Sequence, residues 1–117
     1  MTQVELGPLE NFPEHTVRVV SVGSSEIGIV HWAGQFFALR NICPHEGAGL
    51  CRGTVRPRIM AAAVGQITAD ADTPVVTCPW HGWEFDARTG QAVFGDPQCR
   101  VKTYPIRAEG HTLVIDV

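Results

Sequence analysis

A chain of 117 residues has room for one domain, and 44% hydrophobic against 18% charged residues is the balance of a chain that buries a core. Nine lysines and arginines against twelve acids give a net charge of −3, so there is no basic stripe and nucleic acid is not an expected partner. Twelve glycines and eight prolines favour short strands and turns over long helices. The start, Met1-Thr2-Gln3-Val4-Glu5-Leu6, lacks the basic-then-apolar order of a signal peptide. No stretch approaches the ~18 apolar residues of a membrane span. The expected location is cytoplasmic, away from membranes, where thiols stay reduced.

The first third reads as a β meander. Thr16–Val22 places valine at 17, 19, 20 and 22, and Gly23-Ser24-Ser25 turns the chain. Glu26–Trp32 follows as a second strand, Ala33-Gly34 turns again, and Gln35–Arg40 is a third strand leading to Cys43. There the sequence Cys43-Pro44-His45 is followed by Gly47 and Gly49. Residues 57–74 are less legible: Ile59–Val64 fits either one helical turn or a short strand, and Thr68–Thr73 is polar. This excess length between His45 and Cys78 reads as an extra loop, about 57–74, serving as a surface excursion or as an element for partner recognition or self-association.

Pro74–Thr77 returns as a strand into Cys78-Pro79-Trp80-His81-Gly82, and Trp83-Glu84-Phe85 leaves it as another. Asp86-Ala87-Arg88-Thr89-Gly90 has the composition of a tight hairpin turn. Val101–Arg107 and Thr112–Val117 close the chain as a strand pair around Glu109-Gly110. The fold class is all-β: one domain over 1–117, a small antiparallel sandwich or barrel carrying ligand loops at about 43–53 and 78–83.

The two loops each supply one thiolate and one imidazole. A zinc finger of the two-Cys, two-His type groups its cysteines and its histidines, whereas here the order is Cys, His, Cys, His. That order suits a binuclear iron site in which two thiolates hold one iron and two imidazoles the other. A structural zinc module with the same four residues is the competing reading, and it would be colourless. The remaining histidines, His15, His31 and His111, read as solvated surface residues. Trp32, Phe36 and Phe37 read as packing, and Cys51 and Cys99 as small apolar fillers or inert thiols.

At Cys43-x-His45 and Cys78-x-x-His81, with their glycines, the chain resembles the Rieske [2Fe–2S] family. The likeness runs on through Trp83-Glu84-Phe85-Asp86 and Arg88-Thr89-Gly90 to Gly95-Asp96-Pro97, a third loop that in the family packs over the cluster. The resemblance implies one [2Fe–2S] cluster held by Cys43, His45, Cys78 and His81, with Gly82, Trp80, Trp83, Phe85 and Pro97 around it. It implies a non-catalytic carrier that collects electrons singly from a flavin-containing reductase and passes them to a terminal oxygenase or related enzyme. The alternative is a Rieske subunit working inside a larger oxidoreductase complex. No G-x-G-x-x-G fingerprint suggests direct use of NAD(P)H. Nor is there a recognisable two-His, one-carboxylate motif for a mononuclear iron.

Two imidazoles in place of two thiolates bring the oxidised cluster from a formal charge of about −2 to about 0, which raises the potential into a range of roughly −150 to +300 mV. In high-potential members of the family, the second loop reads C-P-C-H-G-S-x-Y, with serine and tyrosine hydroxyls donating to sulfur and the extra cysteine in a disulfide. Trp83 and Phe85 stand at the hydroxyl positions here, Trp80 at the cysteine position and Ala48 at that of its partner. The low end of the range is therefore expected, as in soluble Rieske ferredoxins. Each ligand histidine retains a ring N–H, so electron uptake should couple to proton uptake at alkaline pH.

Overall fold

In the computed structural model one apolar run is buried on both faces. Ile27 and Ile29 point to one core, with Phe12, Ala38, Leu113 and Ile115. Val30 and Trp32 point to another, with Leu39, Val76, Cys78, Phe85, Ala87, Ala92 and Val101. Period-two alternation explains the split, because successive residues of a strand face opposite ways. A strand covered on both sides reads as a continuous hydrophobic run rather than an alternating one. The structure describes residues 2–42, 55–63, 66–78, 82–95 and 98–117, with the backbone alone at 59–63 and 66–71.

The strands are β1 (Gln3–Pro8), β2 (Thr16–Val22), β3 (Ser25–Trp32), β4 (Gln35–Arg40), β5 (Val55–Ala63), β6 (Gln66–Thr77), β7 (Glu84–Asp86), β8 (Ala92–Phe94), β9 (Thr103–Tyr104), β10 (Ile106–Glu109) and β11 (Thr112–Asp116). They form three antiparallel sheets ordered β1-β11-β10, β2-β3-β4-β9 and β5-β6-β7-β8. The two-sided strand β3 lies in the middle sheet, so the cores join that sheet to its two neighbours. Among the described residues no helix is long and apolar enough to cross a membrane.

The meander β2-β3-β4 follows the expected residues. Its second turn is a two-residue connection with positive φ at both positions, 53° at Ala33 and 73° at Gly34, the geometry that matches the twist of a hairpin. Several elements differ from expectation. Strand β1 pairs with β11, joining the two ends of the chain. The strand expected over Val101–Arg107 is broken. Thr103–Tyr104 pair with β4, whereas Ile106–Glu109 pair with β11. Pro105 stands at the change of sheet, where it donates no N–H while its carbonyl accepts from the Asp116 N–H at 2.9 Å.

The segment expected as an extra loop is instead the two arms of the β5–β6 hairpin. Pro57 faces Pro74 at a register shift, where neither residue could donate a ladder bond, and pairing resumes at Arg58 with Asp70. Only Val75–Thr77 of β6 also pair with β7, so among the described residues the outer part of the hairpin is a two-stranded ribbon.

His31 corrects another expectation. Its side chain is only 20% exposed, with Nδ1 2.7 Å from the Phe12 carbonyl oxygen and Nε2 2.7 Å from a Glu14 carboxylate oxygen. The ring stacks on Phe36 at 4.1 Å. Glu14 also accepts from the Gly34 N–H at 3.2 Å, so this acid braces both the β1–β2 connection and the β3–β4 turn. His15, by contrast, keeps a side chain that is 65% exposed.

Candidate metal centre

Cys78 directly follows strand β6, against the larger core. It is 1% exposed, among Val30, Trp32, Val76 and Phe85. Its N–H donates to the Trp83 carbonyl at 2.7 Å, and its carbonyl accepts from the Gly82 N–H at 3.0 Å. These two bonds close the loop that contains the expected ligand His81. Gly82 has φ +71°, and a Cβ there would meet no atom within 4 Å. Its requirement is thus backbone conformation, not space.

The chain before Cys43 is equally anchored. The Arg40 N–H donates to the Lys102 carbonyl, the Asn41 N–H to the Glu26 carbonyl and the Ile42 N–H to the Arg40 carbonyl, each at 2.9 Å. Past the second loop, Asp86–Gly90 forms the expected tight turn. The Gly90 N–H donates to the Asp86 carbonyl at 2.7 Å, and Arg88 pairs with the Asp86 carboxylate at 3.0 Å. Gly90 has φ +79°, and a Cβ there would lie 2.1 Å from the Val101 carbonyl oxygen. That close approach holds the turn against Val101, whose N–H donates to the Gly90 carbonyl at 2.8 Å.

Of the residues expected at the site, Cys78, Gly82, Trp83 and Phe85 are described. Cys43, His45, Trp80, His81 and Pro97 lie outside the described residues, as does Cys51. Phe85 is fully buried beside Cys78, and Trp83 packs on the same core. Cys99 is half-buried against that core and in no disulfide. One pairing escaped sequence reasoning. Gly95 has φ +114°, and a Cβ on it would lie 2.4 Å from Cδ2 of the Trp83 indole. The backbone at Gly95 therefore lies close against the ring, a contact that no local pattern announces. Among the described residues the exposed large apolar side chains are Ile42 (41%) and Phe94 (62%), which directly precede Cys43 and Gly95.

Would an iron–sulfur cluster fit these residues? A neutral thiol packs among apolar side chains without cost, but a thiolate there needs a cation beside it. The Cys78 sulfur can thus serve as the buried end of a cluster, with the histidines of the same motifs left for the outer end. The donor set fits an asymmetric two-iron unit.

A family model for the Rieske [2Fe–2S] domain matches residues 2–105. The ferredoxin component of the naphthalene 1,2-dioxygenase system of Pseudomonas aeruginosa is 28% identical over 93% of this chain and 89% of its own. The ferredoxin subunit of biphenyl dioxygenase from Pseudomonas sp. strain KKS102 is 30% identical, with 99% and 93% covered. The solved ferredoxin of carbazole 1,9a-dioxygenase from Nocardioides aromaticivorans IC177 superimposes with a TM-score of 0.75 at 22% identity, over 98% of this chain and 97% of that one.

Proposed function

Because this chain belongs to the Rieske [2Fe–2S] domain family, and is an electron carrier built around one [2Fe–2S] cluster, we propose that Cys43, His45, Cys78 and His81 hold that cluster for a dioxygenase system. The observation that carries the assignment is Cys78. It is the C of C-x-x-H, it directly follows strand β6, and its side chain is buried at the head of a loop closed by two backbone hydrogen bonds. When bound, the cluster accepts and releases one electron at a time. The chain's own part is to hold that group still and dry. The core around Cys78 keeps water from the sulfur end, and the Gly82 turn lets the loop fold back without strain.

The electron donor in this reading is a flavin-containing reductase and the acceptor a terminal oxygenase, since relatives are the ferredoxin components of naphthalene 1,2-dioxygenase and biphenyl dioxygenase. The protein carries the electron and performs no substrate chemistry itself. Ile42 and Phe94, exposed beside two of the loops, suit a transient apolar contact with either partner. The test is anaerobic mixing of the purified, coloured protein with such a reductase and NADH. The visible absorption should bleach with one electron per chain in the unaltered protein, and Cys78→Ser should yield protein without the chromophore. Bleaching by two electrons, or a fully coloured Cys78→Ser variant, would overturn the assignment.

A further inference from the structure

Trp83 is attached both through its backbone and through its ring. Through its carbonyl it accepts from the Cys78 N–H at 2.7 Å, which closes the second ligand loop. Through its indole face it meets the backbone of Gly95, so closely that a Cβ would fall 2.4, 2.7 and 2.9 Å from Cδ2, Cε3 and Cε2. Real Cβ atoms do not come so near a ring, and the fused aromatic atoms cannot swing aside like the end of a flexible chain. Only glycine admits the contact, and it does so in a conformation, φ +114°, that side-chain-bearing residues rarely adopt.

Strand pairing reinforces the link. Glu84, next after Trp83, pairs with Phe94, next before Gly95, and the ladder shifts register immediately beyond, between Glu84 and Phe85. The third loop is thus attached to the second ligand loop at two adjacent points, a backbone pair and a ring face. Trp83 also packs on the core that holds Cys78 and Phe85.

We propose that Trp83 and Gly95 form a clamp coupling the third loop to the second ligand loop, with both as positioning residues for the cluster. This rests on the ligand assignment made above. Residues beyond the ligands that fix their orientation commonly change metal affinity by roughly 10- to 100-fold when altered. A clamp of this kind gives Trp83 a purpose besides filling space. It sets how firmly the loop ends are held, and so how readily a chelator or water reaches the cluster.

A double-mutant cycle tests the coupling, with two readouts: the rate of cluster loss to an iron chelator, followed in the visible band, and the g-values of the reduced protein in EPR. Gly95→Ala in the unaltered background should speed cluster loss about tenfold or more and shift the g-values. In a Trp83→Ala background, where the methyl group has room, the same substitution should add only the smaller effect of its backbone strain. Equal effects in the two backgrounds would overturn the clamp. Should Gly95→Ala fail to fold, Trp83→Leu supplies the second route. It removes the flat ring while leaving Gly95 in place, and should accelerate cluster loss with the fold intact by circular dichroism. Cluster retention and g-values unchanged by Trp83→Leu would contradict the proposal. If the unaltered protein binds no [2Fe–2S] cluster, the ligand assignment fails instead, and that outcome is plain before any variant is made.

Discussion

Two residues show how much a single position can carry. Ala33 holds φ 53° in the turn between β3 and β4, a conformation that costs a residue with a Cβ roughly 1–2 kcal/mol. Ala33→Gly should therefore raise the unfolding free energy, by about 1 kcal/mol after the added freedom of the unfolded chain is counted, as read from urea denaturation. Gly90 is the reverse case. A Cβ there would overlap the Val101 carbonyl oxygen, a backbone atom that cannot move alone. Gly90→Ala should cost about 2 kcal/mol or more in the same experiment. An effect below about 0.5 kcal/mol would mean that the turn yields without disturbing the chain beneath it. At this scale the sequence was informative wherever the chemistry was local. Arg88-Thr89-Gly90 marked its turn, and Cys43-x-His45 and Cys78-x-x-His81 stand out as motifs, although of their four ligand candidates only Cys78 is among the described residues. The Gly95 contact with Trp83 was not legible, because it joins two loops through the fold and leaves no spacing to notice.

Among the elements, strands β2 to β4, rich in β-branched and aromatic residues and bounded by turns, were legible, including the apolar run of β3 that turns out to separate two cores. Those that depend on distant partners were not. Gln3–Pro8 becomes a strand only because Thr112–Asp116 is beside it, and Ala92–Phe94 is too short to show a period. Pro105 divides a stretch that looks continuous, because the two halves belong to different sheets. In residues 57–74 small apolar and polar residues gave no decisive period, and backbone pairing across Pro57 and Pro74 decided for a hairpin. His31 was misread for a related reason. Its partners, Phe12 and Glu14, come from the connection before β2, which local pattern does not place. His31→Leu removes both of its polar contacts and should lower stability by about 1–2 kcal/mol, measured by urea unfolding. Unchanged stability would mean that neither contact contributes net free energy.

For the whole molecule, the arrangement is a β scaffold in which the two ligand motifs follow strands of two different sheets. The first ligand loop follows β4 of the middle sheet, and the second joins β6 to β7 of the outer one. The larger core lies between these sheets and contains Cys78, so the packing of the two sheets also buries the sulfur proposed as a ligand. That burial, with no hydroxyl at Trp83 or Phe85, predicts a midpoint at the low end of the range of roughly −150 to +300 mV. A redox titration should find it below about 0 mV on that scale. Phe85→Tyr should raise it by tens of millivolts if the new hydroxyl reaches sulfur, since about 59 mV corresponds to a tenfold change for one electron.

The most direct test of the electron-carrier reading is Mössbauer spectroscopy of the purified, iron-57-labelled protein together with metal analysis. Two irons per chain, resolved as two inequivalent sites of equal area, one with sulfur-only and one with nitrogen-bearing ligation, is the predicted result. Two equivalent sites, or zinc in place of iron, would contradict it.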